Sequence, residues 1–187
     1  MNLKAFLDER KKAIVKRWYE QILDGYPSDT SNFLRKQKDR FANPVGCTLF
    51  ENIENLFNEL IGDMDFDKCS EYLDGIIRVR AVQDFSPSQA LYFVFNLKEI
   101  IKDEIKDMGE GVYHEYRDFE CWLDRLALLA FDIYMRCKQQ IFEIRVNEIK
   151  NTTCRLLKMA NLVYDIDMEK VGSSIEPESI LTLNIKG

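Results

Sequence analysis

A helical pattern without proline or glycine runs through residues 113–163, more than a quarter of this 187-residue chain. At ~1.5 Å per residue a helix of that length measures about 75 Å, which is longer than any core that a chain of this size builds. We therefore expect part of this helix to extend from the core. Helices of this kind dimerise, transmit a conformational change or hold an output module at a distance.

Glycine, proline and capping residues divide the rest of the chain into amphipathic helical segments, with no convincing strand before the tail. Asn43-Pro44 is typical of a helix start, because the asparagine side chain accepts a backbone N–H bond and proline is favoured at the first helical position. Ser86-Pro87-Ser88-Gln89 has the form of a capping box. The pattern predicts an all-α helical bundle with helices over residues 3–23, 28–41, 44–61, 66–82, 87–108 and, after Gly109 and Gly111, 113–163.

The long last helix changes in composition along its length. Its first half has a broad apolar surface that suits a globular core. Further on, charged residues separate the apolar ones, which form a thinner stripe without a strict heptad repeat. We predict that this stripe packs against a second copy of the chain, with Ile141, Ile144 and Ile149 as candidate dimer-interface residues.

The tail turns acidic and then ends in an alternating apolar pattern at Leu181, Leu183 and Ile185, which is typical of a short strand. A flexible tail and a docking segment for a protein partner both fit this pattern. The predicted organisation is a helical sensory domain over residues 1–150, followed by the end of the helix and the tail over 151–187.

Composition and missing motifs exclude several classes of function. The net charge of −6 disfavours nucleic acid as a partner. No apolar run is long enough to span a membrane, and the charged N-terminus lacks the apolar core of a signal peptide, so we expect a cytoplasmic protein. Five scattered cysteines without a C-x-x-C pair indicate reduced thiols rather than a disulfide framework or a metal site. No phosphate-binding loop or nucleophile motif occurs, which predicts no catalysis and no cofactor.

A few residues are candidates for ligand binding. Arg78 and Arg80 lie two positions apart on one predicted helix and so point to different faces, which allows one of them to turn inward towards a carboxylate or an anion. The single histidine, His114, falls near a helix start, where capping or exposure is expected rather than ligation of a haem or a metal. An aromatic group raises the alternative of a haem, tetrapyrrole or lipid-like ligand in the core, and it consists of Tyr92, Phe93, Phe95, Trp122 and Phe131. The candidate ligand-binding residues are Arg78, Arg80 and Trp122.

Two stretches at junctions between the predicted helices resemble the N-terminal domain of the RsbRD-type RsbT co-antagonists. The first comprises Tyr26-Pro27 and residues 33–46, and the second comprises residues 76–90. The likeness extends over about residues 14–150. Its signature residues are Asp39, Arg40, Phe41, Asn43, Pro44, Arg78, Arg80, Gln83 and Pro87.

The resemblance implies a globin-like all-α fold without haem, in a dimeric sensory input domain of a bacterial stress-signalling or related regulatory system. In the co-antagonists the last helix leads to a STAS domain that contacts partner proteins and is phosphorylated. Only a short tail follows that helix in this sequence, so we expect a structural output through the helix, the tail or a separate partner. A non-enzymatic signalling module is the leading prediction, and a helical protein that binds haem, a tetrapyrrole or a lipid-like ligand is the alternative.

Overall fold

A computed structural model of the protein describes residues 2–37, 39–83, 85–106 and 108–159. The predicted all-α fold is confirmed, because these residues form six α-helices and no strand. The long C-terminal helix is confirmed as well. The helices are α1 (Leu3–Asp24), α2 (Ser28–Lys36), α3 (Pro44–Ile61), α4 (Phe66–Val82), α5 (Pro87–Ile105) and α6 (Glu110–Met159).

Local capping chemistry sets the starts of the central helices. The Asn43 side chain accepts a hydrogen bond from the Gly46 N–H, with Pro44 at the first position of α3. The Asp65 side chain accepts from two N–H groups in the first turn of α4. Ser86 and Gln89 form the predicted capping box at the start of α5. Each of these side chains satisfies N–H groups that have no partner within the helix.

The structure departs from the predicted boundaries at three places. Helix α2 ends at Lys36 rather than continuing to Phe41, which is 97 % exposed on the turn before α3. Helix α5 ends at Ile105, before the predicted end at residue 108. Helix α6 begins at Glu110, so Gly111 lies inside the helix instead of breaking it. The predicted strand around Leu181 lies outside the described residues.

Contacts between residues divide the chain after Ile141 into two units. In the first unit, α3 packs along α4, and α1 packs against α3 and α5. The first part of α6 contributes buried side chains such as Phe119, Leu126 and Ile133 to the same core. Helix α5 buries one apolar face there, whereas Tyr92 and Phe95 are exposed.

In the second unit, the described residues are 142–159 at the end of α6. Several apolar side chains of this segment are exposed, among them Phe142, Ile149 and Leu156. The boundary predicted at residue 150 and the globin likeness stay predictions. No helix in the described part of the chain is both long and apolar enough to cross a membrane.

Candidate functional site

Arg78 and Arg80 occupy opposite environments on α4, as their spacing predicts. Arg78 is exposed and forms an ion pair with Asp74, one helical turn earlier, at 3.0 Å. Arg80 faces inward and is only 3 % exposed. The interior of the first unit therefore contains a positively charged side chain, and burial lowers the pKa of this guanidinium from its usual value.

The Arg80 guanidinium contacts two neighbouring aromatic rings, and no carboxylate pairs with it in the described part of the chain. Its central carbon is 4.5 Å from the centroid of the Phe85 ring and 5.8 Å from that of Tyr26. The two rings meet edge to face at 5.1 Å. Nη2 donates a hydrogen bond to the Gln89 carbonyl oxygen at 2.8 Å. Within the described residues no carboxylate forms an ion pair with Arg80, and its charge is in contact with the Gln89 carbonyl oxygen and the two aromatic faces.

Several buried polar atoms around Arg80 have no hydrogen-bond partner in the described part of the chain. They are Nε and Nη1 of Arg80 itself, Oη of Tyr26 and Oε1 of Gln21. Burial also raises the pKa of the Tyr26 hydroxyl, and the Arg80 charge offsets part of that rise. A buried donor without a partner costs about 1–3 kcal/mol, and more when it carries a charge. Because most buried polar groups in proteins are hydrogen-bonded, these atoms mark the region around Arg80 as a candidate site for a polar partner.

Arg80 lines a pocket of about 420 Å³ in the first unit. This volume lies in the range of small-molecule sites. The walls are formed by α1, α5 and the α4–α5 junction, and they combine aromatic rings with amide groups. Its lining includes Gln21, Asp24, Phe85, Gln89, Tyr92 and Phe93.

A hydrogen bond joins this pocket to the long C-terminal helix within the first unit. The buried hydroxyl of Tyr134 on α6 donates to the carbonyl oxygen of Phe85 at 2.7 Å. Phe85 therefore contacts the Arg80 cation through its ring and α6 through its backbone. A movement of the Phe85 backbone would therefore change its hydrogen bond with Tyr134 on α6.

The first of the two stretches that resemble the family includes Asn43, which lies between α2 and α3. The Asn43 amide is 2 % exposed and donates from Nδ2 to the carbonyl oxygens of Leu34 at 3.1 Å and Gln37 at 2.8 Å. Its Oδ1 accepts from the Gly46 N–H at 2.8 Å. One side chain therefore caps the end of α2 and the start of α3, which explains why α2 stops at Lys36. A Cβ atom on Gly46 would lie 2.4 Å from Asn43 Nδ2, so only glycine fits there without a shift.

The remaining signature residues lie at the surface. Asp39 accepts from the Phe41 N–H across the exposed turn, and Arg40 forms an exposed ion pair with Glu51 at 3.4 Å. Gln83 and Pro87 are exposed at the end of α4 and the start of α5. These positions shape helix junctions and do not line the Arg80 pocket.

Trp122 and His114 also lie away from the Arg80 pocket. Trp122 is half-buried, with its ring 5.6 Å from that of Phe66 and the Arg125 guanidinium 5.5 Å above it. His114 is exposed near the start of α6. Of the three candidate ligand-binding residues, only Arg80 lines the pocket, where it is joined by Tyr92 and Phe93 from the aromatic group.

The cysteines do not form an evident nucleophile. Burial raises the pKa of Cys69 to about 11 and also raises the pKa of Cys137, which disfavours the reactive thiolate at both positions. Cys121 is exposed. Among the described residues, no group of three or more His, Cys, Asp or Glu side chains could hold a metal ion.

The candidate dimer residues fall in different environments. Ile141 is half-buried and packs against the core of the first unit. Ile144 and Ile149, in the second unit, are each 66 % exposed. Ile149 also belongs to a row with a seven-residue spacing, whose other members in that unit, Phe142 and Leu156, are exposed. The predicted interface includes Ile149 but not Phe142 or Leu156, although the seven-residue spacing is visible in the sequence, because other residues between these positions are apolar as well.

The same seven-residue spacing extends back along α6 into the first unit, to Met135 and Leu128. Both side chains are exposed there. A repeat of seven drifts by only about 20° per heptad around an α-helix, so within the second unit Phe142, Ile149 and Leu156 lie on one side of the helix, as in coiled coils.

Comparisons with known proteins place the chain in a family. The family model for the RsbT co-antagonist protein RsbRD N-terminal domain matches residues 12–149. An uncharacterized protein of Archaeoglobus fulgidus is 25 % identical over 143 residues, which cover 74 % of this chain and 83 % of that protein. No solved structure matches the chain.

Proposed function

The chain belongs to the family of RsbT co-antagonist protein RsbRD N-terminal domains, and from this premise we propose that it is a non-enzymatic, dimeric input module of a cytoplasmic signalling system. Family membership itself indicates a signalling-related module. The match over residues 12–149 is the observation that carries the proposal. Stress response is the process that this family relationship favours.

We propose that a second copy of the chain covers the exposed apolar row of the second unit. Phe142, Ile149 and Leu156 recur at intervals of seven, and all three are exposed in the single chain. This repeat favours a partner helix with the same repeat, which an identical chain supplies. In a parallel pair related by a twofold axis, each of these residues meets its own copy. The output to a separate protein partner would then pass through the paired helices or the tail.

The haem alternative has less support from the geometry. The only histidine, His114, is exposed and lies outside the Arg80 pocket. The exposed Phe95 and Phe131 rings do not line that pocket either. An absorption spectrum of the purified protein tests this alternative directly, because a Soret band would contradict a haem-free input module.

Disulfide cross-linking tests the proposed dimer face. In a background with Cys47, Cys121 and Cys154 replaced by serine, we expect Ile149→Cys to form an intermolecular disulfide under mild oxidation. Ile144→Cys is the matched control, because Ile144 is equally exposed at 66 % but lies about 140° around the helix from Ile149. Non-reducing electrophoresis measures the cross-linked fraction. Equal cross-linking of the two variants, or none with Ile149→Cys, would contradict the proposed face.

A further inference from the structure

The Arg80 side chain is a buried charge that the described protein groups do not neutralise. It is 3 % exposed, and its Nε and Nη1 atoms have no hydrogen-bond partner in the described part of the chain. The Phe85 and Tyr26 rings offset part of the charge, but ring faces are weak acceptors compared with an oxygen anion. A buried cation of this kind is strongly stabilised by an anion that reaches its free donors.

The pocket beside Arg80 restricts the chemistry of that anion. One buried guanidinium balances a single negative charge. The Asp24 carboxylate also lines the pocket and is already paired with Arg35, so a second negative charge on the ligand meets repulsion there. The rings of Phe85, Tyr92 and Phe93 supply apolar walls. A ligand with one carboxylate and a small apolar or aromatic body matches both features.

We propose that this pocket binds a small free monocarboxylic acid, with Arg80 as the anion-binding residue. The inference rests on the proposed function and deepens it, because it names the chemical class of the stimulus. Nε and Nη1 are buried and the Phe85 ring lies against the guanidinium, so the carboxylate reaches these atoms when the ring moves aside. Since Phe85 also accepts the Tyr134 hydrogen bond, binding alters a contact of α6.

Isothermal titration calorimetry with simple probes tests the proposal on the full chain. Benzoate and hexanoate are the probes, benzamide is the neutral counterpart of benzoate, and inorganic phosphate is the competing anion. We expect both carboxylates to bind at millimolar concentrations or below, and benzamide to bind at least about tenfold more weakly, because it lacks the charge-assisted hydrogen bonds. Arg80→Met should weaken carboxylate binding by the same factor or more.

Two controls separate ligand binding from a structural role of Arg80. Arg78→Met removes an exposed arginine from the same helix and should leave carboxylate binding unchanged. The urea midpoint of Arg80→Met should not fall below that of the wild type, because a buried unpaired charge is replaced by an apolar side chain. A lower midpoint together with no carboxylate binding by the wild type would assign Arg80 a structural role and overturn the proposal.

Other outcomes would also overturn the proposal that the Arg80 pocket binds a monocarboxylic acid. Equal binding of benzamide and benzoate would identify an apolar pocket without anion recognition, and binding of phosphate alone would exclude the carboxylate class. Binding of phospholipid vesicles without binding of either free carboxylate would exclude a free acid as the ligand. These results are independent of the dimer, so a dimer that binds no carboxylate overturns this inference alone, whereas a monomer that binds carboxylate overturns the proposed function.

Discussion

Replacing Trp18 by alanine is expected to lower the free energy of unfolding by about 3–5 kcal/mol. Trp18 is fully buried at 0 % exposure, and its indole Nε1 donates to the Phe93 carbonyl oxygen at 2.7 Å. Its ring stacks on that of Phe93 with centroids 6.0 Å apart. The alanine variant leaves a large cavity behind a wall of the Arg80 pocket. Urea unfolding followed by far-ultraviolet circular dichroism measures the loss without relying on tryptophan fluorescence.

Trp122→Ala is the matched control for this prediction. Trp122 is half-buried, so its removal should cost less than about 2 kcal/mol, since part of its surface is already in contact with water. Trp18→Phe should fall between the two, because it keeps most of the volume and loses the N–H donor. Equal losses of unfolding free energy in Trp18→Ala and Trp122→Ala would contradict the larger contribution of Trp18 to the core.

Asn43→Asp is expected to lower the free energy of unfolding by about 2–3 kcal/mol, although aspartate is as good an N-cap as asparagine in general. The Asn43 amide donates to the carbonyl oxygens of Leu34 and Gln37, and a carboxylate cannot donate. The change also places a negative charge against the negative end of α2, in a site that is 2 % exposed. Thermal and urea unfolding measure the effect.

Asn2→Asp provides the control at a second helix start. Asn2 is an exposed N-cap whose side chain accepts from the Ala5 N–H at 2.9 Å. Because its oxygen only accepts, the aspartate variant should change stability by no more than a few tenths of a kcal/mol. If Asn43→Asp were as well tolerated as Asn2→Asp, the donor contacts of Asn43 would not hold the α2–α3 junction.

Features fixed by neighbours in sequence could be predicted from the sequence. The Asn43-Pro44 helix start, the Ser86–Gln89 capping box and the Asp74–Arg78 pair are all present, because each depends on residues within four positions of one another. The spacing of Arg78 and Arg80 predicts that the two side chains point to different faces, but it does not predict which of them turns inward. These local rules account for the starts of α3 and α5.

Features that depend on packing between helices could not be predicted in the same way. The end of α2 at Lys36 is set by the Asn43 amide, which reaches back to the carbonyl oxygens of Leu34 and Gln37. The Arg80 pocket requires Tyr26 after α1 and Phe85 between α4 and α5 to meet around one guanidinium. Neither contact leaves a periodic signal in the sequence.

The candidate dimer face on α6 also depends on packing that the sequence does not show. Ile141, Ile144 and Ile149 are chemically equivalent in the sequence. In the structure Ile141 packs against the core, whereas Ile144 and Ile149 are exposed at different positions around the helix. Exposure removes Ile141 from the candidate face, and the seven-residue spacing then separates the row of Phe142, Ile149 and Leu156 from the equally exposed Ile144.

Sedimentation equilibrium of the wild-type protein at micromolar concentrations tests the dimeric input module most directly. We predict a mass twice that of the chain, and a single-chain mass for the Phe142→Glu/Ile149→Glu variant, because two charges would then be buried in the apolar interface. A wild-type mass of one chain throughout the concentration range, or a double variant that remains dimeric, would contradict the account.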